Sequence, residues 1–211
     1  MIFKVSKTAG WLQDFPHDLY DSDNFKKIID FFVVHSIVEG TSARGKKLDK
    51  DYNWRKPWSK PYYLNMQLKD LATDKQLLFS ASVFEQKEGS KRKETMDEAL
   101  DKAELKTFPR YDVEKICVYN SKKNQILSTF AHIRNSFAHC RFNVVDHFGR
   151  RVYCFEDVDP KADKQGNVKV TGRIVLFETT LFAWISLIES GEIEYKKKTD
   201  TICNLENNKF F

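Results

Sequence analysis

The apolar period of this chain changes at one point, and that change limits what the chain can fold into. Between Lys122 and Ala138, Ile126, Phe130, Ile133 and Phe137 recur at steps of four, three and four, with Leu127 and Ala131 widening the stripe. That is the buried face of an α-helix. From Phe142 onward the helical steps stop. Phe142 to Val145, Arg151 to Glu156 and Val168 to Phe177 are rich in Val, Ile, Phe and Tyr, separated by turn residues at His147-Phe148-Gly149 and from Asp159 to Gly166. Such runs predict a small antiparallel hairpin or meander over 142–177. Helical spacing resumes near Thr180, buries Leu181, Trp184, Ile185 and Ile188, and stops at Gly191.

Upstream, Ser22 is a good N-cap for a helix over 22–39, with Phe25, Ile28, Ile29, Phe32 and Val33 as its stripe and Gly40 as its stop. Residues 40–61 contain Gly45, Pro57 and Pro61 and read as a long loop. Leu64, Leu68, Leu71, Leu77, Leu78, Phe79 and Val83 repeat helically over 62–86, with a break near Thr73-Asp74, and 87–94 is a polar connector. A short charged helix follows from Met96 to Leu105, closed by Pro109. The expectation is a mainly α fold: one domain over 1–211, a bundle of four to five helices with the β segment inserted before the last of them, and a loose polar tail over 192–211.

Composition narrows the classes. With 41% hydrophobic residues the chain has material for a core. It has no stretch of about 20 apolar residues, so no membrane-spanning helix is expected. Met1-Ile2-Phe3-Lys4 opens into mixed polar sequence without a signal-peptide core, so the expected compartment is the cytoplasm. Cys117, Cys140, Cys154 and Cys203 form no Cys-x-x-Cys pair and read as reduced thiols. His132, His139, Cys140, His147 and Cys154 match no standard zinc spacing, so neither a metal nor another cofactor is expected.

The net charge of +5 is mild, but it is unevenly placed. Residues 40–61 carry seven basic and two acidic side chains, and 132–151 carry four Arg, one Asp and three of the five His. An anion would go to these two segments first. In the first, Tyr52, Trp54, Arg55, Lys56, Trp58, Lys60, Tyr62 and Tyr63 interleave rings with cations. This suits stacking on unpaired bases over a basic groove, with Trp54, Arg55, Lys56, Trp58 and Lys60, together with Arg141, as candidate RNA contacts. It suits equally well a surface loop whose rings pack back on the bundle or into a dimer partner.

The second segment holds Ile133-Arg134-Asn135-Ser136-Phe137-Ala138-His139 at the end of the long amphipathic helix. An Arg fork grips two phosphate oxygens, and a His exchanges a proton near neutral pH. Arg141 and His147 also fit the looser pattern of an Arg and a His separated by four to six residues, but on a strand and a turn. The simpler account of Arg134 and His139 is a pair of cations offsetting the helix C-terminal dipole. His132 reads as a partly buried or solvent-facing helix residue.

The 133–139 segment resembles the Arg-Asn-x-x-x-His signature of HEPN domains, the higher-eukaryote-and-prokaryote nucleotide-binding family. The likeness extends over about 115–190, through Tyr153-Cys154-Phe155-Glu156-Asp157, the strand Arg173 to Phe177 and the closing Leu-Phe-Ala-Trp-Ile helix, to a plasmid- and bacterium-borne subfamily. The resemblance implies a metal-independent ribonuclease, often a toxin or anti-phage effector, that turns the RNA 2′-OH on its neighbouring phosphate. Carried over, Arg134 stabilises charge on phosphorus, His139 acts as general acid or base, and Asn135 orients the phosphate or the helix end. It also implies a homodimer through the motif helices and an antitoxin or other regulatory partner. Some HEPN toxins carry a Tyr two residues beyond the His, which a partner modifies; here Arg141 stands there, which speaks against that neutralisation. Five helical steps set Arg134 and His139 about 140° apart around the axis. They meet only if the helix unwinds or two copies pair. The alternative is a non-catalytic HEPN module that binds RNA or a nucleotide, or serves in assembly or immunity.

Overall fold

The structure is a computed structural model that describes residues 11–12, 22–71, 78–79, 95–120, 122, 124–159 and 169–193. Helix α1, Asp23–Ile29, starts where Ser22 Oγ accepts from Phe25 N at 3.2 Å. It passes directly into a π-helical turn, Asp30–Val34, closed by His35 N donating to Asp30 O at 2.8 Å. The expected helix to Glu39 therefore ends at Val34. Phe31 and Phe32 are both buried in this turn, so Phe31 joins the stripe read from the sequence.

A single turn, α2 (Leu48–Asp51), interrupts the basic loop, and α3 (Leu64–Asp70) follows it. Beyond Leu71 the pattern expected over 62–86 lies outside the described residues, apart from the two-residue strand β1 (Leu78–Phe79). The connector at 87–94 lies outside them as well. Helix α4 (Met96–Lys102) begins with a capping box: Thr95 Oγ1 accepts from Glu98 N while Thr95 N donates to the Glu98 carboxylate. Strand β2 (Lys115–Val118) leads to α5 (Gln125–Ala138), whose cap Asn124 Oδ1 accepts from Ile126 N at 2.8 Å. Then come β3 (Phe142–His147), β4 (Arg150–Val158), β5 (Val170–Phe177) and α6 (Glu178–Ser190), ended by Gly191 at φ 80°.

The strands form one sheet in the order β1-β2-β5-β4-β3. Along β2, β5, β4 and β3 each strand is antiparallel to its neighbour, and β1 adds two parallel residues at the β2 edge. One face, carrying Ile116, Val118, Val144, Tyr153, Phe155, Ile174 and Leu176, packs with α1, the π turn, α5 and α6. The other face, carrying Cys117, Val152, Cys154, Val175 and Phe177, is covered by Met96, Ala99 and Leu100 of α4 and by Trp11.

The fold is therefore mixed α/β, not the mainly helical bundle expected from the sequence. The 142–177 segment is no insertion at one end but most of a central layer. The apolar runs of β4 and β5 reflect burial on both faces, which removes the polar alternation of a half-exposed meander. The sheet also recruits β2, only four residues long and too short for its period to show.

Burial on both faces forces charge into the interior. Glu156 is fully buried and accepts from Arg173 Nε and Nη2 at 3.1 and 2.9 Å and from Arg141 Nη1 at 3.3 Å. Arg173 also donates to the carbonyls of Leu105 and Lys106 and lies over the Trp11 ring, 4.6 Å from its centroid. These contacts satisfy the buried carboxylate and tie β4 and β5 to the chain that follows α4.

Candidate functional site

Helix α5 is held on the sheet by its apolar stripe. Near its C-terminus Phe137 meets Phe142 and Phe155 edge-on, at 4.7 and 5.0 Å between centroids. The polar residues of its last two turns are thereby fixed against the ends of β2, β4 and β5.

His132 is buried at 4% exposure. Its Nδ1 lies 2.6 Å from Asp157 Oδ2 and its Nε2 lies 2.7 Å from the Tyr119 carbonyl. The ring thus bridges a side-chain carboxylate and a backbone carbonyl, both of them acceptors. Gly172, opposite Asp157 in the sheet, makes room for this ring: a Cβ there would sit 3.2 Å from His132 Nδ1 and 3.0 Å from Val118 Cγ1.

Asp157 serves the motif as well. Asn135 Nδ2 donates to the same Oδ2 at 3.2 Å, while Val158 N donates to Oδ1 at 3.0 Å. Asn135 Oδ1 in turn accepts from Arg134 Nη1 at 3.3 Å. A continuous polar line therefore runs from the Tyr119 carbonyl through His132, Asp157 and Asn135 to the half-buried Arg134. Arg134 Nε is buried and has no hydrogen-bond partner among the described residues. His139 stands apart as the C-cap residue of α5: its backbone N–H donates to Asn135 O at 2.9 Å, while its exposed ring makes no hydrogen bond or ion pair among the described residues.

Within one chain, then, the fold joins Arg134 to Asn135 but not to His139. The two cysteines nearest the motif in sequence are poor nucleophiles, since burial pushes up both the Cys140 and the Cys154 thiols. Among the described residues no three His, Cys, Asp or Glu side chains converge as metal ligands. No helix of the described residues is long and apolar enough to cross a membrane.

The basic loop divides by residue type. Trp54 is fully buried, donates from Nε1 to Ile188 O at 2.9 Å and meets Tyr62 edge-on, so it offers no ring face to a base and leaves the candidate RNA contacts. Trp58 is partly buried against the main core. Arg55, Lys56 and Lys60 are exposed. Arg141, also proposed as an RNA contact, has a guanidinium engaged by buried Glu156. The rings of 40–61 therefore belong mainly to packing, and the loop's accessible chemistry is cationic.

Asp157 and Gly172 were not legible as site residues. The one available signal was Glu156-Asp157, two adjacent acids closing the apolar run Tyr153-Cys154-Phe155, where buried carboxylates need partners. No family model matches this chain, and neither a curated protein nor a solved structure does.

Proposed function

We propose that the protein is a metal-independent endoribonuclease that cuts single-stranded RNA with the Arg-Asn-x-x-x-His chemistry of the HEPN family. The observation that carries this reading is Arg134: its half-buried guanidinium is held through Nη1 by Asn135 Oδ1, five residues from an exposed His139 whose ring has no hydrogen bond or ion pair among the described residues. A guanidinium anchored at one nitrogen can hold phosphate oxygens with those of its N–H groups that solvent reaches.

In the reaction the ribose 2′ oxygen bonds to phosphorus and the bond from phosphorus to the 5′ oxygen breaks, leaving a 2′,3′-cyclic phosphate and a 5′-OH. Arg134 stabilises the charge that develops on the phosphoryl oxygens. His139 takes the 2′ proton or supplies one to the 5′ oxygen. Asn135, anchored through Asp157 to His132, keeps the guanidinium in place. A two-fold dimer of α5 ends brings together the Arg134 and His139 that one chain holds apart, and a symmetric dimer is the commonest oligomer. Arg55, Lys56 and Lys60 supply phosphate contacts away from the chemistry. The biological role that fits is a toxin or anti-phage effector in the cytoplasm, restrained by a partner.

The test is cleavage of labelled RNA in EDTA by wild type, Arg134→Ala and His139→Ala. Cyclic-phosphate product from wild type alone supports the reading, and equal cleavage by all three sinks it. The separation of Arg134 from His139 within one chain favours a second reading, a non-catalytic RNA- or nucleotide-binding module. Full RNA binding with no product from any preparation would select it.

A further inference from the structure

Strands β3 and β4 are joined by a two-residue turn in which Phe148 and Gly149 both have left-handed backbones, at φ 51° and 72°, between the paired residues His147 and Arg150. Type I′ hairpins favour Asn, Asp or Gly at these positions, because a β-carbon at positive φ crowds the backbone. Phe148 is nevertheless there, and at 96% exposure it buries almost nothing. Neither turn geometry nor core packing accounts for a phenyl ring at this place. Of the exposed large hydrophobics, Phe148 is the most accessible of those described.

Its surroundings favour a nucleobase. His147 touches Phe148 edge-on at 4.6 Å between centroids, and Tyr111 continues the row to His147 at 5.7 Å. Arg150, across the turn, rests its guanidinium 4.3 Å from the Phe177 ring and has no acidic partner among the described residues. The nearby acids are engaged: Asp146 Oδ1 accepts from Gly149 N at 3.0 Å, and Asp112 is bonded to Arg110 at 2.7 Å. The tip thus combines an open phenyl face, two supporting rings and an uncompensated cation, the elements of a stacking platform for single-stranded nucleic acid. Strand β3 leads to it from the end of the Arg134–His139 segment, and its six residues span about 20 Å at the rise of a β-strand.

We infer that Phe148 stacks on an unpaired base of bound RNA, with Arg150 on the adjacent phosphate, so that the β3–β4 tip holds the strand at a distance from the cleavage chemistry. This rests on the ribonuclease reading only for its choice of nucleic acid. Base stacking tolerates sequence, so the platform provides grip and register rather than sequence preference.

The experiment measures binding of the full chain to a fluorescent 2′-O-methyl oligouridine, which has no 2′-OH to attack its phosphate, in EDTA and at two salt concentrations. Phe148→Ala is expected to raise Kd about ten- to a hundredfold. Phe148→Trp, which keeps an aromatic face, is expected to stay within about threefold of wild type, and Arg150→Gln to flatten the salt dependence. Unfolding midpoints and sedimentation of each variant accompany the binding data. Phe148→Ala binding like wild type, or Phe148→Trp losing as much as Phe148→Ala, overturns the proposal. So does a changed oligomeric state in Phe148→Ala, which would make the tip a protein contact, and so does wild type that binds no oligomer. Wild type that binds through Phe148 but yields no cyclic-phosphate product from unmodified RNA defeats the ribonuclease reading alone. Cleavage by wild type with Phe148→Ala unchanged in affinity defeats the platform alone.

Discussion

His132 Nδ1 and Asp157 Oδ2 meet at 2.6 Å, joining the buried middle of α5 to the end of β4. The same oxygen receives Asn135 Nδ2 at 3.2 Å, so one carboxylate links a core histidine to the polar end of the helix. The contact is charge-assisted and almost dry, with side-chain exposures of 5% and 7%. A buried pair of this kind adds little net stability relative to an apolar replacement, but it penalises loss of either member heavily.

Asp157→Ala is therefore expected to lower unfolding free energy by about 3–5 kcal/mol, because it strands the His132 ring and the Asn135 amide together. Urea unfolding measures this, with an unchanged m-value showing that the transition keeps its character. Asp157→Asn keeps the shape but not the charge. If Asp157 positions Arg134 through Asn135, RNA cleavage by folded Asp157→Asn falls up to about a hundredfold in kcat with little change in KM. A drop in KM-dependent binding alone would contradict that role.

Gly172→Ala probes the same junction from the other side. The new Cβ would sit 3.0 Å from Val118 Cγ1 and 3.2 Å from His132 Nδ1, inside a packed layer where neither neighbour moves freely. A loss of about 1–3 kcal/mol is expected, read as a lowered Tm, with a displaced imidazole N–H resonance of His132 as its local signature.

His139→Ala separates function from folding. The ring is exposed and makes no hydrogen bond or ion pair among the described residues, so stability should stay within about 0.5 kcal/mol of wild type. A larger loss in urea unfolding would assign His139 a structural role and weaken its candidacy as acid or base. Arg141→Ala should behave differently: its guanidinium is 3.3 Å from fully buried Glu156, so its loss should appear as destabilisation.

Alkaline pH tests the buried phenols. Burial, aided by Glu189, Asp51 and Asp30, pushes Tyr52 from an ordinary value of 10.0 up to about 12. Burial and Glu178 push Tyr153 upward as well. Above the ordinary value the unfolded chain loses protons that the folded chain keeps. The Tyr52 contribution is thus complete below pH 10, declines as pH rises from there, and is gone above about 12. Urea midpoints followed from neutral to alkaline pH should fall across that window, with phenolate absorbance appearing late. Tyr52→Phe should lessen the fall.

Local sequence determined much of this protein. The caps at Ser22 and Thr95, the 4–3–4 stripe of α5, the stop at Gly191 and the turn at Phe148-Gly149 are written in residues within one or two turns of each other, because helix period and turn stereochemistry are short-range properties. The Arg134-Asn135…His139 motif was legible for the same reason. Only the tertiary structure decided that the strands form a central layer covered on both faces, since α4 and Trp11 reach the second face from far away in the chain. It also decided that Trp54 goes to the core, through a bond to Ile188 O that spans 134 residues. Most consequentially, it brought Asp157 and Gly172 to His132. Which acid answers a buried histidine depends on sheet register, and register is set by packing across the whole molecule rather than by the residues beside the histidine.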